Sequence, residues 1–135
     1  MQRLTRRELL RTIAASPLFN VTIGTAAGVA MNHKPEATVA RVWRGRVQRT
    51  RADEYQVYWL SQLRKLREQA AGLDIFREDR EDESEFISIS YWPDLEAMKR
   101  FSRNDDPTAV HHLPRDQEFL IELPKSVQLL KVLKA

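Results

Sequence analysis

From Glu85 to Trp92 the side chains alternate with a period of two. Ile87, Ile89 and Tyr91 point to one side; Phe86, Ser88, Ser90 and Trp92 point to the other. This is the pattern of a β-strand with large apolar groups on both faces. A sheet built on it needs cover on both sides, which constrains the rest of the chain.

The remaining elements follow from local chemistry. Val39 to Val47 reads as a strand, with Ala40 and Val42 on one face and Arg41 and Trp43 on the other. Thr50 and Asp53 have the spacing of a capping box. After them Tyr55, Trp59, Leu63, Leu66 and Ala70 form one apolar stripe at helical period, and Gly72 is placed to end that helix. Leu73 to Glu78 reads as a second strand, and Asp79 to Glu83 as a charged turn. Pro93-Asp94 opens a second long helix with Leu95, Met98 and Phe101 on its inner face. Asp106 and Pro107 are expected to start a short helix through His111, stopped by Pro114. Val127 to Leu133 is the last strand.

The order strand, helix, strand, strand, helix, strand predicts an α+β domain of ferredoxin-like βαββαβ type over residues 38–135. Both helices are expected on one face of a four-stranded antiparallel sheet. Arg41, Trp43, Phe86, Ser88, Ser90 and Trp92 are expected on the opposite face, covered by a second copy in a homodimer. The short serines would leave space inside that pairing.

Charge excludes one class of partner. The chain has 22 basic and 19 acidic residues. Its excess sits in the first thirty residues, where Arg3, Arg6, Arg7 and Arg11 face only Glu8. Residues 31–135 carry 18 of each sign, so no electrostatic footprint for nucleic acid remains in the domain. There is no cysteine, hence no disulfide or thiolate chemistry. No apolar run is long enough for a stable membrane span.

Thr5-Arg6-Arg7-Glu8-Leu9-Leu10-Arg11 fits the twin-arginine export pattern, followed by a weakly apolar stretch from Thr12 to Ala30. Two readings stay open for residues 1–30. One is a signal that sends the protein to the periplasm; the other is an N-terminal extension of a cytoplasmic protein. Residues 31–37 are a linker.

Val39-Ala40-Arg41-Val42-Trp43-Arg44-Gly45-Arg46-Val47 resembles the opening strand of the antibiotic biosynthesis monooxygenase family. Ser90-Tyr91-Trp92-Pro93-Asp94-Leu95-Glu96-Ala97-Met98 resembles that family's strand-to-helix junction. The resemblance covers about residues 38–134 and implies a dimeric α+β barrel. It also implies one of three activities. The first is a cofactor-independent monooxygenase for a small aromatic or quinol-like substrate. The second is a haem-binding or haem-degrading protein, and the third a non-catalytic barrel that binds a small ligand.

A cofactor-free oxygenase needs a dry aromatic pocket, a base and a group that holds an anion. His111 and His112 are the candidate bases; they lie adjacent, so they do not form a chelating pair. Arg41 is the candidate anion holder, or else part of an interface salt bridge. Trp43, Tyr58, Phe86, Ser88, Ser90, Trp92 and Phe101 are the candidate substrate contacts, and for Trp92 plain core packing is the competing reading. The haem-degrading relatives pair a histidine with a tryptophan ten residues earlier and an asparagine in the first strand. Here Phe101 stands ten residues before His111 and the first strand has no asparagine, so only His111 matches. The basic stripe Arg41, Arg44, Arg46, Arg49 and Arg51 reads as a solvated face or as the partner of the acidic stretch Glu78 to Glu85. No metal-ligand cluster or phosphate-binding glycine loop is present.

Overall fold

A computed structural model describes residues Lys34–Ala135. The twin-arginine reading falls outside these residues. The elements are β1 (Val39–Gln48), α1 (Ala52–Gln62), α2 (Arg64–Gln69), β2 (Gly72–Asp79), β3 (Glu83–Trp92), α3 (Leu95–Ser102), α4 (Asp116–Phe119) and β4 (Gln128–Lys131). The strands form one antiparallel sheet in the order β2-β3-β1-β4, which is the ferredoxin-like arrangement.

The alternation assigns residues to faces correctly, but the helices choose the opposite face from the one expected. Phe86 is wedged under α1, its ring centroid 5.2 Å from Tyr55 and 5.3 Å from Trp59, edge-on to both. Trp92 packs on Phe101 of α3 at 5.2 Å and is 2 % exposed. Val39, Arg41, Trp43, Gly45 and Val47 lie opposite Trp92, Ser90, Ser88, Phe86 and Ser84 across the β1–β3 ladder. All ten therefore line the inner face, beneath this chain's own helices. The outer face carries Ala40, Val42, Ile87, Ile89, Tyr91 and Phe76. A period of two fixes which residues share a face; it does not say which face a helix will cover. Two large side chains, Phe86 and Trp92, flank the small Ser88 and Ser90, and that relief accepts two bulky helix aromatics better than a row of β-branched residues.

Three local expectations give way to tertiary bonds. Thr50 does not cap α1. Arg49–Arg51 form a 3₁₀ turn, and the Asp53 carboxylate accepts from Arg77 at 2.8 Å. No helix forms from Asp106 to His111. Asp106 accepts from both the backbone N–H (2.9 Å) and the hydroxyl (2.8 Å) of Thr108. The Asp106 carbonyl accepts from the Ala109 N–H at 3.1 Å, a single turn that goes no further, and the Thr108 and Ala109 carbonyls accept from the Val127 N–H and the Arg41 guanidinium, each at 2.9 Å. Gly72 is the first residue of β2 rather than a helix cap, and the helical stripe breaks at Leu63 into α1 and α2. The Asp94 cap of α3 is as expected, its side chain accepting from the Ala97 N–H at 2.8 Å.

Gly45 has a steric role in this packing. The Trp43 indole lies flat over it, and a Cβ at position 45 would stand 2.3 Å from the indole Cη2. A rigid ring cannot yield by rotating a terminal atom. Gly45→Ala is therefore expected to destabilise the domain by about 1–3 kcal/mol. Chemical denaturation measures the loss. A changed near-ultraviolet circular dichroism spectrum would report the displaced indole, and unchanged stability and spectrum would contradict the packing described.

Candidate functional site

The inner face and the helices do not close completely on each other. Between them lies a cleft of about 690 Å³. Its floor is made by Arg41 and Trp43 of β1 and Ser88 of β3, and its walls by Trp59 of α1 and Phe101 of α3. Trp43 and Trp59 stack with centroids 5.7 Å apart and planes 29° apart, forming one continuous aromatic surface. Ser88 faces Trp43 across the ladder, and its short side chain leaves the space beside the indole unfilled.

The break at Leu63 shapes the opening. Ser61 to Leu66, six consecutive residues, all border the cleft. An uninterrupted helix presents only every third or fourth residue to one side. The break turns the chain end-on and brings Arg64 and Lys65 to the rim.

Arg41 is half-buried, and burial lowers the pKa of its guanidinium. It donates to the Ala109 carbonyl at 2.9 Å, and among the described residues no carboxylate lies within ion-pair reach. A guanidinium with most of its donors uncommitted in an apolar cleft favours an anionic ligand group.

His111 borders the same cleft from the loop after α3. Its Nε2 lies 2.6 Å from the Ser102 carbonyl oxygen, which can only accept. Nε2 therefore carries the proton, and the lone pair of the neutral ring is on Nδ1. This fits a general base acting through Nδ1. It fits a haem ligand through Nε2 poorly, because that nitrogen is committed to a carbonyl. Among the described residues no three histidine or carboxylate side chains converge on a metal-sized site.

The segment that carries His111 is pinned by a buried pair that sequence reasoning did not find. Asp116 is 1 % exposed. It accepts from the Tyr55 hydroxyl (2.9 Å) and from the Leu113 N–H (2.9 Å), and it also borders the cleft. Burial, and then the adjacent Asp116 charge, push the Tyr55 phenol well above the usual tyrosine range. It stays protonated and keeps donating. Trp59, Leu63 and Asp116 are thus site residues the sequence did not mark. The first two read as helix core, and a lone aspartate after Pro114 carries no signal of its own.

The cleft brings together Arg41, Trp43, Ser88, Phe101 and His111 of the residues expected at a site. The others lie elsewhere. His112, exposed as His111 is, does not border the cleft. Tyr58 stacks on Phe119 at 5.9 Å, and its hydroxyl accepts from the Arg115 N–H. Phe86 is core beneath α1. Ser90 accepts from the Trp92 indole N–H at 2.9 Å, which places both in the core. A second depression of about 530 Å³ lies by Arg44, Arg46, Glu85 and Glu122. The Arg46–Glu83 (3.1 Å) and Arg46–Glu122 (3.7 Å) ion pairs occupy its arginine there.

No family model matches this sequence, and no curated protein matches it either.

Tyr55→Phe would leave a buried carboxylate oxygen without its donor, at a cost of about 1–3 kcal/mol. The pH dependence follows from the same bond. Below about pH 10, the ordinary tyrosine value, the phenol is neutral in folded and unfolded chains alike, and its contribution is complete. Above that pH the unfolded chain releases the proton while the folded chain holds it, so stability falls as pH rises. In Tyr55→Phe this alkaline loss should be smaller than in the parent. Denaturation from pH about 8 to about 11 measures it, and identical slopes would contradict the assignment.

Proposed function

We propose that the cleft binds a small planar aromatic anion and that its chemistry is cofactor-independent oxygenation of a phenol or hydroquinone. The observation that carries this reading is Arg41, a guanidinium without a carboxylate partner among the described residues, at the floor of a cleft walled by Trp43, Trp59 and Phe101. The resemblance to the antibiotic biosynthesis monooxygenases supports the same chemistry.

The reaction uses the substrate as its own reductant. Nδ1 of His111 removes the hydroxyl proton, and Arg41 holds the resulting oxyanion. The anion passes one electron to dioxygen. The superoxide and the ring radical then combine, forming a C–O bond at a ring carbon that bears hydrogen. Imidazolium protonates the distal peroxide oxygen. Loss of the ring C–H proton to the imidazole breaks the O–O bond, and hydroxide leaves as water with that proton. Phenol and dioxygen become quinone and water. Trp43, Trp59 and Phe101 line the cleft in which the radical pair forms.

Oxygen-electrode measurements with hydroquinones and naphthols test this. Uptake should fall by about a hundredfold or more in His111→Ala, in the range removed with a general base. His112→Ala should retain the parental rate. Equal loss in both variants, or no uptake with any such substrate, would sink the assignment.

We also infer a homodimer, paired through the outer sheet face rather than the face expected from the sequence. Phe76 is 50 % and Leu130 42 % exposed there, beside half-buried Ile87 and Ile89. The Arg44–Glu85 (3.9 Å) and Arg46–Glu83 (3.1 Å) pairs border this patch. Pairing two such faces removes apolar surface from water. Sedimentation at micromolar concentration should give a dimer, and Ile89→Arg a monomer. A monomeric parent would refute it.

A further inference from the structure

The cleft has an uneven charge. Residues 34–135 balance 18 basic against 18 acidic residues, yet the cleft is bordered by Arg41, Arg64 and Lys65 and by one carboxylate, Asp116. Asp116 offsets one of the three cations and leaves an excess of positive charge, and each of its oxygens accepts from a donor of this chain. Lys65 has no carboxylate within ion-pair reach among the described residues, and Arg64 reaches Glu68 only at 3.7 Å along its own helix. The positive charge is also divided in space. Arg41 is on the floor, on β1, whereas Arg64 and Lys65 stand on the rim, where the α1–α2 break delivers them. A cleft with low-dielectric walls and a net charge of one sign concentrates the opposite sign.

We infer that the ligand is an aromatic hydroxy acid: a planar ring system with a hydroxyl directed to Arg41 and a carboxylate at the other end, held by Arg64 and Lys65. This rests on the reading of the cleft as a site for aromatic phenols and adds the second anionic group. The aromatic surface of Trp43 and Trp59 would take the ring, and the two cationic ends would fix its direction. The hydroxyl would then enter first and the carboxylate remain at the rim. Such two-point recognition would distinguish the acid from a neutral phenol of the same shape.

The test compares a hydroxynaphthoate with its carboxamide, which has the same outline but no charge near neutral pH. Binding to the full-length protein is followed by quenching of tryptophan fluorescence and by calorimetry. The hydroxynaphthoate should bind at least about tenfold more tightly than the amide. The preference should shrink as salt is raised from about 0.05 to 0.5 M, because the rim charges are exposed. In the Arg64→Gln/Lys65→Gln double variant the preference should fall to near one; a thermal melt confirms that the variant is folded. If acid and amide bind the parent equally, the inference is overturned while the aromatic cleft stands. A preference that persists in the folded double variant overturns the assignment to Arg64 and Lys65. If neither probe binds, the aromatic reading of the cleft fails, and this inference fails with it.

Discussion

The packing of Phe86 against Tyr55 and Trp59 is the contact on which the other features depend. Phe86 is fully buried at the centre of the sheet and meets both rings edge-on at 5.2 and 5.3 Å. Such aromatic pairs contribute about 0.5–1.5 kcal/mol each beyond the area they bury. Their geometric effect is larger. They hold α1 at a fixed height above the sheet, and serines follow Phe86 at every second position of β3. The helix layer therefore stands clear of Ser88, and the cleft opens there. A larger side chain at position 88 would fill it.

From this contact the structure extends in two directions. Trp59 stacks on Trp43, and Trp43 can lie flat only because residue 45 has no side chain. Tyr55 donates to Asp116, and Asp116 accepts from the Leu113 N–H. One arm thereby builds the aromatic wall, and the other holds the loop on which His111 is carried. Arg41 ties the same loop to the sheet through the Ala109 carbonyl. Wall, base and cation are consequently set by one connected group of side chains. A change in the core beneath α1 would be felt at all three.

The elements were largely legible in the sequence because local periodicity is a local property. The strand alternation of Glu85 to Trp92 and the helical stripe from Tyr55 to Ala70 are read from neighbours a few residues apart. The caps were less legible. Thr50 and Asp106 have the right chemistry to start helices, but Asp53 pairs with Arg77, and the segment after Asp106 is tied to Arg41 and Val127. These partners lie 19 or more residues away, where no local pattern reaches. The site was legible in part. Arg41, Trp43, Ser88, Phe101 and His111 stand out as polar, short or aromatic residues at informative positions, and they do meet in one cleft. Trp92, Phe86 and Tyr58 have the same types at similar spacings and serve in packing. Asp116 gave no signal, since its importance lies wholly in the partners it meets.

The sequence by itself determined the order of the elements, the residues that share each sheet face and the neutral charge of the domain. These follow from side-chain period and composition, which need no knowledge of distant contacts. Only the tertiary structure decided which face the helices cover. Both faces carry large apolar groups, so hydrophobic burial alone does not distinguish them. The choice rests on shape: Phe86 and Trp92, with serines between, receive Tyr55, Trp59 and Phe101. That choice moved Arg41, Trp43 and Ser88 from a presumed contact between two chains into a cleft within one. It also left Ile87, Ile89 and Phe76 facing outward.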